Sequence, residues 1–231
     1  MNSSVHAGMI DPALQHRPSK WGGIRIAFWI CMVIAVAVVI RRILALAFPP
    51  RSTPPQMAGL DAAFASHATL TLVHIIPALL FVILLPFMYS RRFTQAAWIE
   101  QLMFPLGVIV SVTAYAMTRY SIGGGIERSA VLFFNSLFLF SLIRAWLFRH
   151  TDRILKLRWL TRAVAILLSI ATTRPVMGVF FASSRLTHLT PQQFFGVAFW
   201  IGFAINTVAI EFWLHSAKGQ RQIMNLATSR G

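Results

Sequence analysis

Arg174 stands in "ATTRPVMG", inside an otherwise apolar run from Trp159 to Phe181. A guanidinium among hydrocarbon side chains is costly, at least about 2–3 kcal/mol on insertion scales. Its forked donors suit an anionic oxygen. His74, Tyr115, Asn135 and Thr173 are the other hydrogen-bonding side chains set in apolar runs at a related position. Together they offer a cation, an imidazole, a phenol, an amide and a hydroxyl. That set can hold a polar headgroup, a quinone or a small anion. It has the composition of a binding site more than of a hydrolytic centre. No GxSxG, HExxH or CxxC motif is present, no metal-ligand spacing occurs, and the chain has only six acidic residues.

The elements that must carry these residues are membrane spans. The chain is 57% hydrophobic and 12% charged, with a mean hydropathy of +0.67. Apolar runs close to 20 residues, separated by short basic stretches, cross a hydrocarbon core of roughly 30 Å. Six are present: Ile24–Ile40, Thr69–Tyr89, Leu102–Met117, Ala130–Phe148, Trp159–Phe181 and Phe194–Leu214. The expected fold is all-α, a six-helix transmembrane bundle over 21–216. It is preceded by a disordered tail (1–20) and followed by a second tail (217–231). The first apolar run reads as a retained anchor, since its polar lead and Arg41–Arg42 do not suit a signal peptide. Cys31, the lone cysteine, excludes an internal disulfide.

The net charge of +15 does not indicate nucleic acid, because the basic residues cap apolar runs and form no separate patch. They indicate topology instead. Arg17, Lys20, Arg25, Arg91, Arg92, Arg144, Arg149, Arg153, Lys156, Arg158, Arg162, Lys218, Arg221 and Arg230 fall on one side, out of 21 Lys and Arg. Positive charge collects on the cytoplasmic face, so both termini are expected inside. Arg41 and Arg42, at the outer end of the first run, are the counter-signal. "SIGGGIERS" (121–129) lacks the strand and the GK[ST] of a phosphate loop and reads as a flexible outer turn. "GLDAAFASH" (59–67) reads as a short interfacial turn before the second span.

Helices rise about 1.5 Å per residue, which converts position into depth. Arg174 lies about 22 Å from the inner face, counted from Trp159. His74, Asn135 and Tyr115 fall roughly 7–10 Å below the outer surface by the same count. Four spans therefore place polar groups in one outer layer. Pro77 and Pro175 free the carbonyls of Val73 and Ala171 nearby. The expected result is a polar pocket in the outer third. The alternative is an Arg174 that snorkels to the interface without a ligand. Glu211 lies about 16 Å lower than Arg174. With Arg144, Arg162 and Asn206 it forms an expected inner structural cluster.

Three stretches resemble a bacterial membrane family catalogued as domain of unknown function 2306, across about residues 60–215. They are "FASHATLTLVHIIPALLFVILLPFMYSRR", "LRWLTRAVAILLSIATTRPVMGVF" and "FGVAFWIGFAINTVAIEFWL". The resemblance matches His74, Arg158, Trp159, Arg162, Arg174, Asn206, Glu211 and Trp213 to the family pattern. It implies a multi-pass protein of a bacterial inner (cell) membrane and names no reaction. Glu100 and Lys156 stand where the family pattern has histidines.

Two further functions fit less well. A b-type haem or quinone redox protein needs two axial ligands at one depth. His74 has no histidine at its level, and only His67 and His188, both near the outer end, form a candidate haem pair. A carrier needs broken helices in paired halves, which the sequence does not show. The bilayer is the one partner that composition dictates, and a small-molecule or lipid ligand is the expected second.

Overall fold

The computed structural model describes residues 21–48, 62, 64–89, 97–188 and 190–228. The expected tail 1–20, most of the connection 48–67 and the basic pair Arg91–Arg92 lie outside them. Seven α-helices are present among the described residues, and no strand. They are α1 (Trp21–Ala47), α2 (Ala68–Tyr89), α3 (Ala97–Met117), α4 (Gly124–Leu147), α5 (Arg153–Thr187), α6 (Pro191–His215) and α7 (Ala217–Thr228). A single 3-10 turn, Thr118–Tyr120, ends α3. The first six helices are long and apolar enough to cross a membrane.

Each helix runs longer than its apolar stretch. α1 continues through Arg41 and Arg42 to Ala47, as arginine is a good helix former. α5 has 35 residues, about 52 Å, and so is longer than a hydrocarbon core of roughly 30 Å. Its start is fixed by Asp152, whose side chain accepts from Leu155 N at 2.9 Å. Its end is His188, in the left-handed region at φ 52. Pro77 and Pro86 in α2, Pro105 in α3 and Pro175 in α5 do not interrupt their helices. Without water to take up backbone groups, a helix in hydrocarbon persists through one missing bond.

The spans close into a ring. α1 packs against α2 and α5, α2 against α3, α3 against α4, and α4 against α5; α6 lies along α4 and α5. The interior is filled by Phe81, Leu85, Met103, Phe138, Leu142, Ala163 and Ala171. Val33, Val112, Ile143, Val179 and Phe212 point outward and exposed, which suits contact with lipid. α7 is not a loose extension of the chain. Its Ile223 is buried against Leu157 and Leu214, so residues 217–228 dock on the ends of α5 and α6.

Glycines set the closest approaches. A Cβ on Gly202 of α6 would lie 2.5 Å from Thr173 Oγ1 and 2.8 Å from Thr173 Cα of α5. A Cβ on Gly196 would lie 2.5 Å from Glu127 N of α4. Small residues are what allow two helix backbones to meet in a membrane. The expected flexible turn at 121–129 is corrected here. Gly124, at φ +62, opens α4, and Gly123 abuts the Gly196 backbone. The glycine run is a helix start, packed at Gly123 and open at Gly124 and Gly125.

Gly202→Val should destabilise the bundle by about 1–3 kcal/mol, the usual cost of overpacking. Gly178→Ala should not, because a Cβ there meets nothing within 4 Å. Thermal unfolding of detergent-purified protein, followed by circular dichroism, compares the two.

Candidate functional site

The ring encloses a cavity of about 260 Å³ with walls from all six spans. Its polar wall is made by Arg42, His67, His74, Glu127, Asn135 and Arg174. Its apolar wall includes Ala35, Val82, Phe138, Ile166 and Phe203. Ile166 precedes Arg174 by eight residues, and Val82 follows His74 by eight. Polar and apolar ends are therefore separated by about 12 Å along the helices. An engineered apolar cavity of about 150 Å³ already accepts benzene, so this one has room for a larger group.

The polar side chains are held by protein partners, two of them across helices. His74 Nδ1 lies 2.9 Å from Thr113 Oγ1, and that hydroxyl donates to Ile109 O at 2.7 Å. A hydroxyl has one proton, so the ring donates from Nδ1; in the neutral form of the imidazole, Nε2 is then the acceptor. Asn135 Nδ2 donates to Ser111 O at 2.9 Å. Glu127 Oε2 accepts from Gly123 N at 2.6 Å. His67 stacks on Tyr120 with ring centroids 3.6 Å apart. The Arg42 guanidinium lies 4.1 Å from the Phe64 ring centre.

Arg174 is different. Its Nε is enclosed with no hydrogen-bond partner, and its Nη1 reaches only Met177 Sδ at 3.9 Å. Thioether sulfur is a weak acceptor. A half-buried guanidinium thus borders the cavity without an oxygen acceptor among the described residues. It lines the interior rather than lipid.

The sequence expectation needs correcting at two residues of this layer. Thr173 is fully buried and faces Gly202, with Oγ1 donating to Ser169 O at 3.0 Å. Tyr115 pairs with Ser136 between α3 and α4, at 2.7 Å. Neither lines the cavity. Each is one residue from a lining residue, Arg174 and Ala114, and one residue turns a helix by about 100°. Depth was readable from spacing; direction was not. Arg42 and Glu127 were missed. Arg42 shares a helical face with Ala35, Val38 and Val39, all on the cavity wall, and that spacing was the available signal. Glu127 is 9% exposed, and its burial follows from the glycine packing, which the sequence pattern did not reveal.

The expected inner cluster divides. Arg162 and Glu211 form a two-point ion pair, Nε to Oε1 and Nη2 to Oε2, the second at 2.9 Å. Arg144 does not join them. Its guanidinium lies 4.8 Å from the Phe148 ring centre and 5.4 Å from that of Trp159. Asn206 sits higher, bridging α6 to Thr172 Oγ1 at 2.8 Å and Ala165 O at 3.3 Å on α5. A pair not anticipated is Lys156–Glu100, at 2.7 Å. As for the haem pair, His67 lines the cavity, whereas His188 is exposed at the end of α5 and is not on its wall.

Six apolar spanning helices make this an integral, multi-pass membrane protein in a lipid bilayer. Comparison with family models, curated proteins and solved structures gives no match.

The two ion pairs differ in enclosure. The Lys156 side chain is 6% exposed, whereas Arg162 keeps the Trp159 face, 4.5 Å away, and faces a carboxylate 39% exposed. Glu100→Ala strands a buried ammonium and should destabilise by on the order of 3 kcal/mol. Glu211→Ala should cost less, because water and the indole compensate Arg162. Chemical or thermal unfolding of both variants checks the order.

Proposed function

We propose that the cavity binds an amphiphile, with an anionic or carbonyl oxygen of its head on Arg174 and its chain against the apolar end. The observation that carries this is the Arg174 guanidinium, which lines a space bounded by all six spans and has no oxygen acceptor among the described residues. A buried donor without a partner costs roughly 1–3 kcal/mol. A ligand oxygen on the Nη donors supplies the guanidinium with the acceptor it lacks. His74 Nε2 and Arg42 add an acceptor and a second cation on the same wall. A lipid headgroup, a quinone or a small organic anion shares this chemistry. The anionic amphiphile uses both ends of the cavity.

The distribution of lysine and arginine supports an orientation with both termini in the cytoplasm and the polar end of the cavity in the outer leaflet. The resemblance to the uncharacterised bacterial family supports a place in the cell membrane. It also puts His74 and Arg174, both on the cavity wall, among the residues shared with that pattern.

Octanoate and octanol separate head from chain. Octanoate should raise the unfolding temperature of the detergent-purified wild-type protein, and octanol should raise it less. In Arg174→Ala the advantage of octanoate should vanish, an apparent affinity loss of about tenfold or more for a charge-assisted bond. Equal shifts by both compounds in the wild type contradict the assignment.

A further inference from the structure

A second guanidinium lacks an acceptor, at the opposite end of the bundle. Arg144 lies about one turn before the end of α4 at Leu147. Its Nε is enclosed without a hydrogen-bond partner. It rests against Phe148 and Trp159, and Phe140 packs edge-on against the same indole, centroids 5.4 Å apart. The result is a cation held in an aromatic frame between α4 and α5.

Charge bookkeeping at this end leaves it uncompensated. Of the six acidic residues, Asp11 and Asp61 lie outside the described residues and Glu127 is on the cavity wall. The remaining three are engaged: Glu100 with Lys156, Glu211 with Arg162, and Asp152 with the start of α5. Arg149, five residues on, also has an enclosed nitrogen without a partner, and its guanidinium lies 3.4 Å from the Trp146 ring centre. Two cations stand at this end of α4 with no carboxylate assigned to them among the described residues.

The flank of Arg144 is apolar and exposed. Phe140, Ile143 and Leu147 are 51%, 48% and 61% exposed along α4. In a bilayer that surface meets acyl chains. A cation near the headgroup level, beside a path for acyl chains, matches a lipid phosphate. The planar fork takes two phosphate oxygens at once.

We propose that the α4–α5 groove at Arg144 binds the phosphate of an anionic phospholipid, a site separate from the central cavity. Phosphatidylglycerol is the probe, diacylglycerol its phosphate-free counterpart and inorganic phosphate the chain-free one. Native mass spectrometry in a neutral detergent reads retained lipid. The wild-type protein should retain phosphatidylglycerol over diacylglycerol. Arg144→Gln should lower that retention by about tenfold, the scale of one charge-assisted bond. Arg144→Lys keeps the charge and loses the fork, so it should retain an intermediate amount; it also serves if the glutamine variant does not fold. Gly178→Ala, whose added Cβ meets nothing within 4 Å, should retain phosphatidylglycerol as the wild type does. Arg144→Gln should cause the same fold loss in an Arg174→Ala background, which keeps this result independent of the cavity. Wild-type retention in both Arg144 variants overturns the proposal. So does displacement of the lipid by inorganic phosphate, which marks a simple anion site.

Discussion

A guanidinium cannot be left in hydrocarbon, and that constraint organises this bundle. Arg174 sits two-thirds of the way along a helix that crosses the membrane. Its burden is met by closing the other spans around it. Each neighbouring helix turns at least one cavity-lining residue inward, and two polar side chains are fixed by hydrogen bonds to α3: His74 of α2 on Thr113, and Asn135 of α4 on Ser111. The polar wall is thereby preorganised. Arg174 on that wall remains without an oxygen acceptor among the described residues.

The opposite end of the bundle solves the same problem differently. Lys156 and Arg162, six residues apart on α5, each take a carboxylate from another helix, α3 and α6 respectively. Those pairs tie α5 to its neighbours where the cavity does not reach. Glycine contacts do the rest: Gly202 against Thr173, and Gly196 against the start of α4. Tight glycine packing along α6 and ion pairing at the far end together leave the space near Arg174 unfilled. A bundle closed by side-chain volume alone would fill it.

Much of the fold was legible in the sequence, because the bilayer fixes both the length and the polarity of a span. All six spans occur where apolar runs place them, lengthened by terminal turns. The residues of the site were legible in part. Arg174, His74 and Asn135 were found by depth, and all three line the cavity. Tyr115 and Thr173 share that depth and face other helices. Rise per residue is nearly constant, so depth survives from sequence to structure. Azimuth depends on which helices are neighbours, and spacing along one helix does not give that. For the same reason Arg144, level with Glu211, went to an aromatic frame instead of the ion pair. Glu100 and Lys156 are 56 residues apart, and their pairing depends on α3 and α5 being neighbours at that level.

The central claim is that the bundle has an interior space beside Arg174 and a lipid-facing exterior at the same depth. Ala114 and Val112 on α3 offer the direct contrast, since Ala114 lines the cavity and Val112 is 58% exposed on the outer surface. In a Cys31→Ser background, Ala114→Cys and Val112→Cys can be treated in membranes with a charged, membrane-impermeant thiosulfonate. A thiol in a polar cavity ionises and reacts, whereas one in acyl chains does not. The account predicts labelling at 114 from the outer face and none at 112. Labelling at 112 with 114 protected would contradict it.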